Sequence, residues 1–467
     1  MSAAALPGLR HNLALIARNA WPVLISQWAG VAFGVLDTAM TGHASPTDLA
    51  AMGLSVSIYV TVFVGLMGVL HALIPILSQQ FGAKQYHELG RTWGQGVWLA
   101  LALSVIGAIL MLFPDMWLSL SGDVAPEVRA SIAAYLRALA LALPFALVFR
   151  TIYALGNAVS RPKIVMAINL AGIGFKAFFN WLLIYGNLGL PALGAQGAGL
   201  STALVYVISL TAGILVLRHD TFFRQFALRM GRIRWSDQKT LLRLGLPMGG
   251  SYLIEVSAFT FMALLVAREG TYVIGAQQII SNLAALCFMM PMAIGVATAA
   301  LSARALGARD PMLSRRISSA GIVLALCGAV VTVCILVLGR PLIVRAYTDE
   351  PHVAAVVLTL MPLLVLFHIV DCMQCINSYL LRAHKVAFVP MLLQGLALGG
   401  VGLAGGWYLG LGPGRGLLDG VREALIPGSP QGAGTMWLMA SVGLALSAAL
   451  LHSWYRRVSR QSLQDNR

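Results

Sequence analysis

At 467 residues, with 58% hydrophobic but only 10% charged side chains, the chain has too little polar surface to cover a water-soluble globule. A formal net charge of +15 would suit nucleic acid, but the basic residues are dealt out between long apolar runs, and that placement argues against nucleic-acid binding.

Twelve apolar runs of spanning length are predicted, at about 14–41, 52–78, 94–113, 132–155, 163–186, 196–217, 242–266, 273–300, 317–338, 353–381, 388–410 and 434–455. The first follows MSAAALPGLRHN, is too long for a signal-peptide core and lacks a small-residue cleavage site, so the N-terminus reads as a short cytoplasmic lead-in. Within this first run stands Asp37, in LDTAMTGH. An acid at mid-bilayer costs roughly 2.5–3.5 kcal/mol on insertion scales, so one that is kept there usually serves an ion, a proton or a substrate. Asp37 reads as a protonatable switch, or alternatively as an outer-end carboxylate capped by Thr38 or Thr41.

The fifth run carries Lys176 and Asn180 one helical turn apart. Lys176 is the only strong base placed well inside a span, and it either pairs with Asp37 or extends its stem toward the interface. The seventh and tenth runs carry Glu255 and Asp371. If these two converge, they can coordinate one monovalent cation such as Na+ or share one proton. On the eighth run Gln278 and Asn282 repeat the one-turn spacing, and Phe288 and Met289, with Phe367 on the tenth, suit either apolar packing, the default for such residues, or a soft, adaptable wall around a ligand. Gln278, Asn282 and Asn180 serve equally as hydrogen-bonding glue between helices.

The loops set orientation. Lys84 and Arg91, then Arg150, Arg161 and Lys163, then the run from Arg218 to Arg243, then Arg304 to Arg316, then Arg382 and Lys385, and finally Arg456 to Arg467 occupy alternate connections. The opposite loops are poor in Lys and Arg or near neutral, so both termini are expected in the cytoplasm. All five cysteines fall within predicted spans, and Cys372 and Cys375 form a CxxC beside Asp371 that small helix residues explain without a metal.

The chain repeats itself at an offset of 225: Pro22 with Pro247, Ala51 with Ala276, Gly82-Ala83-Lys84 with Gly307-Ala308-Arg309, and Arg91 with Arg316. Pro144 and Phe149 resemble Pro362 and Phe367 at a shorter offset, from which unequal loop lengths are expected. The fold class is therefore all-α, a polytopic membrane protein with two pseudo-symmetric six-helix bundles. The expected lobes are 1–217 and 242–467, joined by a basic cytoplasmic linker at 218–241.

With these motifs in hand, the chain resembles the multidrug and toxic compound extrusion (MATE) family along nearly its whole length. Asp37-Thr38, Met40 and Gly42 are similar to the family's DTxMxG, and Pro75, Gln79 and Gly82-Ala83 to its PxxxQxxGA. Asn180 to Gly186 with the following GLPALGAQGAG resembles the fifth-to-sixth-helix signature. Ala276 to Asn282 with Phe288 to Pro291 resembles the eighth helix, and Leu381-Arg382, Lys385 and Val389-Pro390 the LRGxKDTxxP loop. The loop departs from that pattern at Ala383 and Val386-Ala387, Leu301 replaces a commonly basic residue, and Lys176 stands where members often carry Asn.

The resemblance implies a bacterial inner-membrane antiporter, expected as a monomer, that expels amphipathic, often cationic drugs or toxic organic cations in exchange for Na+ or H+. It implies Asp37 as the first-lobe carboxylate and Glu255 with Asp371 as the second-lobe cation site. No cofactor is expected, and no GxxxxGK[ST] loop or catalytic cluster points to an enzyme. A lipid-linked precursor flippase is the alternative, and it calls for a more cationic cavity than Lys176 alone supplies.

Overall fold

The computed structural model of the protein describes residues 8–118 and 125–465; the lead-in at 1–7 and Arg467 lie outside them. Among the described residues are helices and turns but no strand. Twelve helices among the described residues are long and apolar enough to cross a membrane. We number them α1 (Leu9–Ala44), α2 (Thr47–Gly82), α3 (Tyr86–Leu112), α4 (Pro126–Ala158), α5 (Lys163–Ile184), α6 (Gly194–His219), α7 (Trp235–Glu269), α8 (Thr271–Gly307), α9 (Pro311–Leu338), α10 (Pro351–Ala383), α11 (Phe388–Gly410) and α12 (Gln431–Gln464). Many exceed the ~20 residues that the hydrocarbon layer requires, so their ends project beyond it. Exposed Val330, Val331, Ile335 and Leu338 on α9, like Val105, Ile106 and Ile109 on α3, form faces that suit lipid and not water.

The repeat is more regular than the prolines suggest. Helices α3 and α9 start at 86 and 311, α4 and α10 at 126 and 351, and α5 and α11 at 163 and 388, all 225 apart. Pro144 and Pro362 therefore sit two turns apart within equivalent helices and report no change in loop length. The unequal loop lies later. Residues 185–193 join α5 to α6, whereas 411–430, with the extra helix Asp419–Leu425, join α11 to α12.

Backbone geometry explains how the register survives divergence. Lys84, Ser160, Arg309 and Lys385 each adopt positive φ, between 58° and 61°, just past a helix end. The next amide then reaches back five residues: Gln85 to the Gln80 carbonyl, Arg161 to Gly156, Asp310 to Ala305 and Val386 to Leu381. This is a Schellman stop made without glycine, and it closes α2, α4, α8 and α10 at matching positions.

The chain forms two compact units, residues 25–249 and residues 1–24 with 250–467. The leading halves of α1 and α7 thus belong to the unit built by the other repeat, a division that differs from lobes cut at 217 and 242. Pro22 and Pro247 lie inside these helices just before the switch points. Proline removes a rung of the helical ladder, so the turn where each helix changes unit is the weakest in its backbone. In the unit containing 250–467, Ile16 and Ala20 pack into a core with Ile294, Ile317, Leu380 and Tyr455. A second core there gathers Met262, Leu364, Phe367, Trp437 and Leu444.

The segment expected as a linker is stapled to α3 within the first unit. Gln95 Nε2 donates to the Arg232 carbonyl (2.7 Å), its Oε1 accepts from the Arg234 amide (3.0 Å), and Gln238 Nε2 donates to the Gln95 carbonyl (2.9 Å). Trp98 Nε1 donates to the carbonyls of Met230 and Gly231. The strap lies so close that a Cβ on Gly94 would stand 2.1 Å from the Arg229 carbonyl oxygen. Replacing Gly94 by Ala, or Gln95 by Ala, should therefore free the strap. Leaving such groups unpaired costs about 1–3 kcal/mol, so trypsin cleavage at Arg229, Arg232 and Arg234 should accelerate about tenfold.

At the start of α12, Glu269 accepts from the amides of Gly432 and Ala433, both at 2.6 Å. A carboxylate on a helix N-terminus satisfies donors that the helix itself leaves open and complements its dipole. Glu269→Gln should lower stability by about 1–2 kcal/mol, read as a reduced melting temperature of the purified protein.

Candidate functional site

Two clusters of buried charge stand out, one in each unit. In the first, α5 turns Lys176 and Asn180 to the same side and α1 supplies Asp37. Lys176 Nζ lies 2.7 Å from Asp37 Oδ1. It also donates to Thr202 Oγ1 (2.6 Å) and to the Ala198 carbonyl (3.0 Å), both on α6. Asn180 Nδ2 donates to Asp37 Oδ1 at 2.8 Å. The ammonium has three N–H groups and finds three acceptors, so its hydrogen bonding is complete. Lys176 is 0% exposed and Asp37 5%. Of the two expectations for Lys176, pairing is the one seen, and the stem does not reach an interface. Removing one member of such a pair strands the other and costs roughly 3–5 kcal/mol, whereas removing both is often tolerated.

In the second cluster, Glu255 on α7 and Asp371 on α10 lie in the same unit, and the charge of Glu255 bears on Asp371. Gln394 of α11 hydrogen-bonds Glu255, while its own Oε1 is buried without a partner. Neither carboxylate forms an ion pair with any described residue, in contrast to Asp37. The local cation is Arg382, whose charge bears on Glu255. Its guanidinium donates to the Tyr252 hydroxyl (3.1 Å) and covers the rings of Tyr252 and Tyr379 at 5.0 and 4.6 Å. The two tyrosine hydroxyls lie 2.6 Å apart. Asp371, Cys375, Tyr379 and Arg382 follow one another at four-, four- and three-residue steps, which aligns them along one stripe of α10.

Arg382 was expected in a loop, as was Arg150, but both lie inside helices. Arg150 is in α4, over the rings of Phe63 and Tyr153 at 5.5 and 5.3 Å. Helix α10 runs past the end of its apolar window at 381, which places Arg382 outside it, whereas Arg150 falls within the predicted run 132–155 and counts with the neighbouring basic loop. The helical spacing from Asp371 to Arg382 was the available signal.

The remaining expected residues are dispersed. Gln278 is exposed on α8, and it is the neighbouring Gln277 that is buried, accepting from Trp437 Nε1 at 2.7 Å. Asn282 is exposed and accepts from the Tyr347 hydroxyl at 2.6 Å. Phe288 and Met289 are half-buried. Phe367 stands edge-on to Phe259 and Trp437, with centroids 5.7 and 5.1 Å away, and lines a narrow apolar cleft with Met262, Leu398 and Met436. Cys372 and Cys375 are buried and unlinked. Among the described residues no group of three or more His, Cys, Asp or Glu is placed to hold a metal ion.

The two clusters occupy non-equivalent places in the repeat. At the offset of 225, Glu255, Asp371 and Arg382 correspond to Gly30, Ala146 and Asn157, while Asp37, Lys176 and Asn180 correspond to Met262, Val401 and Gly405. Each half has kept charge where the other has a small, apolar or neutral residue.

Comparison with known proteins gives a consistent picture. The chain is 37% identical over 451 residues to a probable multidrug resistance protein NorM of Aromatoleum aromaticum, covering 96% of this chain and 94% of that one. It is 31% identical over 475 residues to the multidrug resistance protein PmpM of Pseudomonas aeruginosa, covering 100% and 97%. Its fold matches the crystal structure of the eukaryotic MATE transporter AtDTX14 with a TM-score of 0.84 at 19% identity, covering 99% of this chain and 100% of that one. It also matches the Vibrio cholerae MATE transporter VcmN in its bent form with a TM-score of 0.83 at 16% identity, covering 97% and 98%. The family model MatE matches twice, over residues 22–182 and 247–408. Those two matches begin 225 residues apart, at Pro22 and Pro247, on the repeat already read from the sequence. The chain belongs to the MatE family.

Proposed function

We propose that this protein is a secondary multidrug efflux transporter that exchanges an external monovalent cation, Na+ or H+, for an amphipathic and often cationic drug from inside the cell. The observation that carries the reading is the pair Glu255, half-buried, and Asp371, buried, two carboxylates without an ion-pair partner among the described residues, in a chain similar over nearly its whole length to proteins named for multidrug resistance. Two acids that share one region of low dielectric favour a cation between them or a proton on one.

Cation capture at that pair stabilises one conformation of the transporter and drug binding the other; the coupling is the difference in affinity between the two. The alternating basic loops support an orientation with both termini in the cytoplasm, and similarity to bacterial multidrug resistance proteins supports residence in a bacterial inner membrane. The membrane potential then contributes about 2.3 kcal/mol per charge per 100 mV. For the drug, the cleft bordered by Phe259, Met262, Phe367 and Met436 offers the soft, aromatic and thioether surface that accommodates varied apolar bodies. A flippase for anionic head groups is disfavoured by the same geometry, because the ammonium of Lys176 is spent on Asp37.

Purified protein in liposomes, tested under an imposed Na+ gradient and separately under a pH gradient, should expel ethidium or a fluoroquinolone with one gradient or both. Equal retention with and without protein under either gradient would reject the multidrug reading. Glu255→Gln and Asp371→Asn should each cut gradient-driven efflux by at least tenfold. Full activity in either variant at all sodium concentrations and pH values would remove that residue from the coupling site.

A further inference from the structure

Charge accounting within each unit leads further, and it rests on the coupling role proposed for Glu255 and Asp371. In the unit of residues 25–249, one carboxylate, Asp37, faces one ammonium, Lys176, at 2.7 Å, and the ammonium has no donor left over. In the other unit there are two carboxylates and one guanidinium; Arg382 bears on Glu255, lies three turns along α10 from Asp371, and directs its contacts to Tyr252 and Tyr379. The first cluster is neutral as built, while the second carries one uncompensated negative charge.

We infer that Lys176 is a resident counter-cation: the Asp37 cluster takes up no coupling ion, and each transport cycle moves a single monovalent cation, held by Glu255 and Asp371. A sodium ion approaching Asp37 would meet an ammonium already seated on the same oxygen. Among the unpartnered oxygens of the first unit, those on residues beside Asp37, Asn180 Oδ1 and Thr41 Oγ1 one turn along α1, are neutral and do not offset that repulsion. Lys176 cannot step aside into water, because its whole side chain is buried. The lysine thus does permanently what a transported cation would do transiently: it fixes the charge state of Asp37 while Asn180 holds the carboxylate in place.

The test counts cations on the full-length protein in lipid nanodiscs, with radioactive sodium at equilibrium for Na+ and an indicator dye for proton uptake. The wild type should bind one cation per chain, Asp371→Asn none, and Lys176→Asn two, because Asp37 then lacks its partner. Since Lys176→Asn strands a buried carboxylate and could fail to fold, the decisive variant is the double replacement Asp37→Asn with Lys176→Met. It leaves net charge unchanged and should still bind one cation. A wild-type count of two, or a fall from one to zero in the double variant, would overturn the inference. Zero in the wild type for both ions would overturn cation coupling as well. Drug efflux measured in parallel keeps the questions apart, because absent efflux with a count of one rejects the multidrug reading and leaves the role of Lys176 standing.

Discussion

A charge held within hydrocarbon must find its counter-charge or its hydrogen bonds inside the protein, since no water is at hand to supply them. Much of the chemistry of this chain follows from how that demand is met. At Asp37 it is met internally, by a lysine whose three donors are all used. At Glu255 and Asp371 it is met only in part, by Gln394 and by an arginine committed mainly to tyrosines. A fully answered charge is structural; an incompletely answered one is available for work.

That contrast is written onto a duplicated frame. Five of the six spans in each half keep the same register, and the backbone turns that end α2, α4, α8 and α10 are alike although their residues are Lys, Ser, Arg and Lys. The frame is therefore conserved in backbone geometry while side chains have gone separate ways. Because neither cluster has an equivalent in the other half, the halves cannot exchange roles.

Much of this was legible in the sequence, for reasons that are physical. Spanning helices announce themselves because lipid tolerates little else, and the offset of 225 is visible because Pro22, Ala51, Gly82 and Arg91 recur as Pro247, Ala276, Gly307 and Arg316. The clusters were legible only as lists of members. Lys176 and Asn180 could be placed on one helix face, but their meeting with Asp37 depends on how α5 packs beside α1. Arg382 was misplaced because an arginine beyond an apolar window looks like a loop residue until its two tyrosines are seen. Gln277 and Gln278 differ by one position, about 100° of helical phase, and only packing against Trp437 decides which is inside. Phe367 could be read as apolar packing or as a ligand-contacting wall, and it both belongs to a core and borders the cleft.

The exchange of leading half-helices has an evolutionary corollary. Residues 9–24 complete the core built by the second repeat, and 235–249 belong to the unit built by the first. A chain carrying one copy of this repeat could assemble the same core only by lending its opening half-helix to a second copy. A single-repeat precursor could have built this core only as a swapped dimer, and joining two copies in one chain turns that loan between molecules into a loan within one. Once fused, the molecule became hard to divide, because a break between the repeats leaves each fragment without the opening half-helix of its own core.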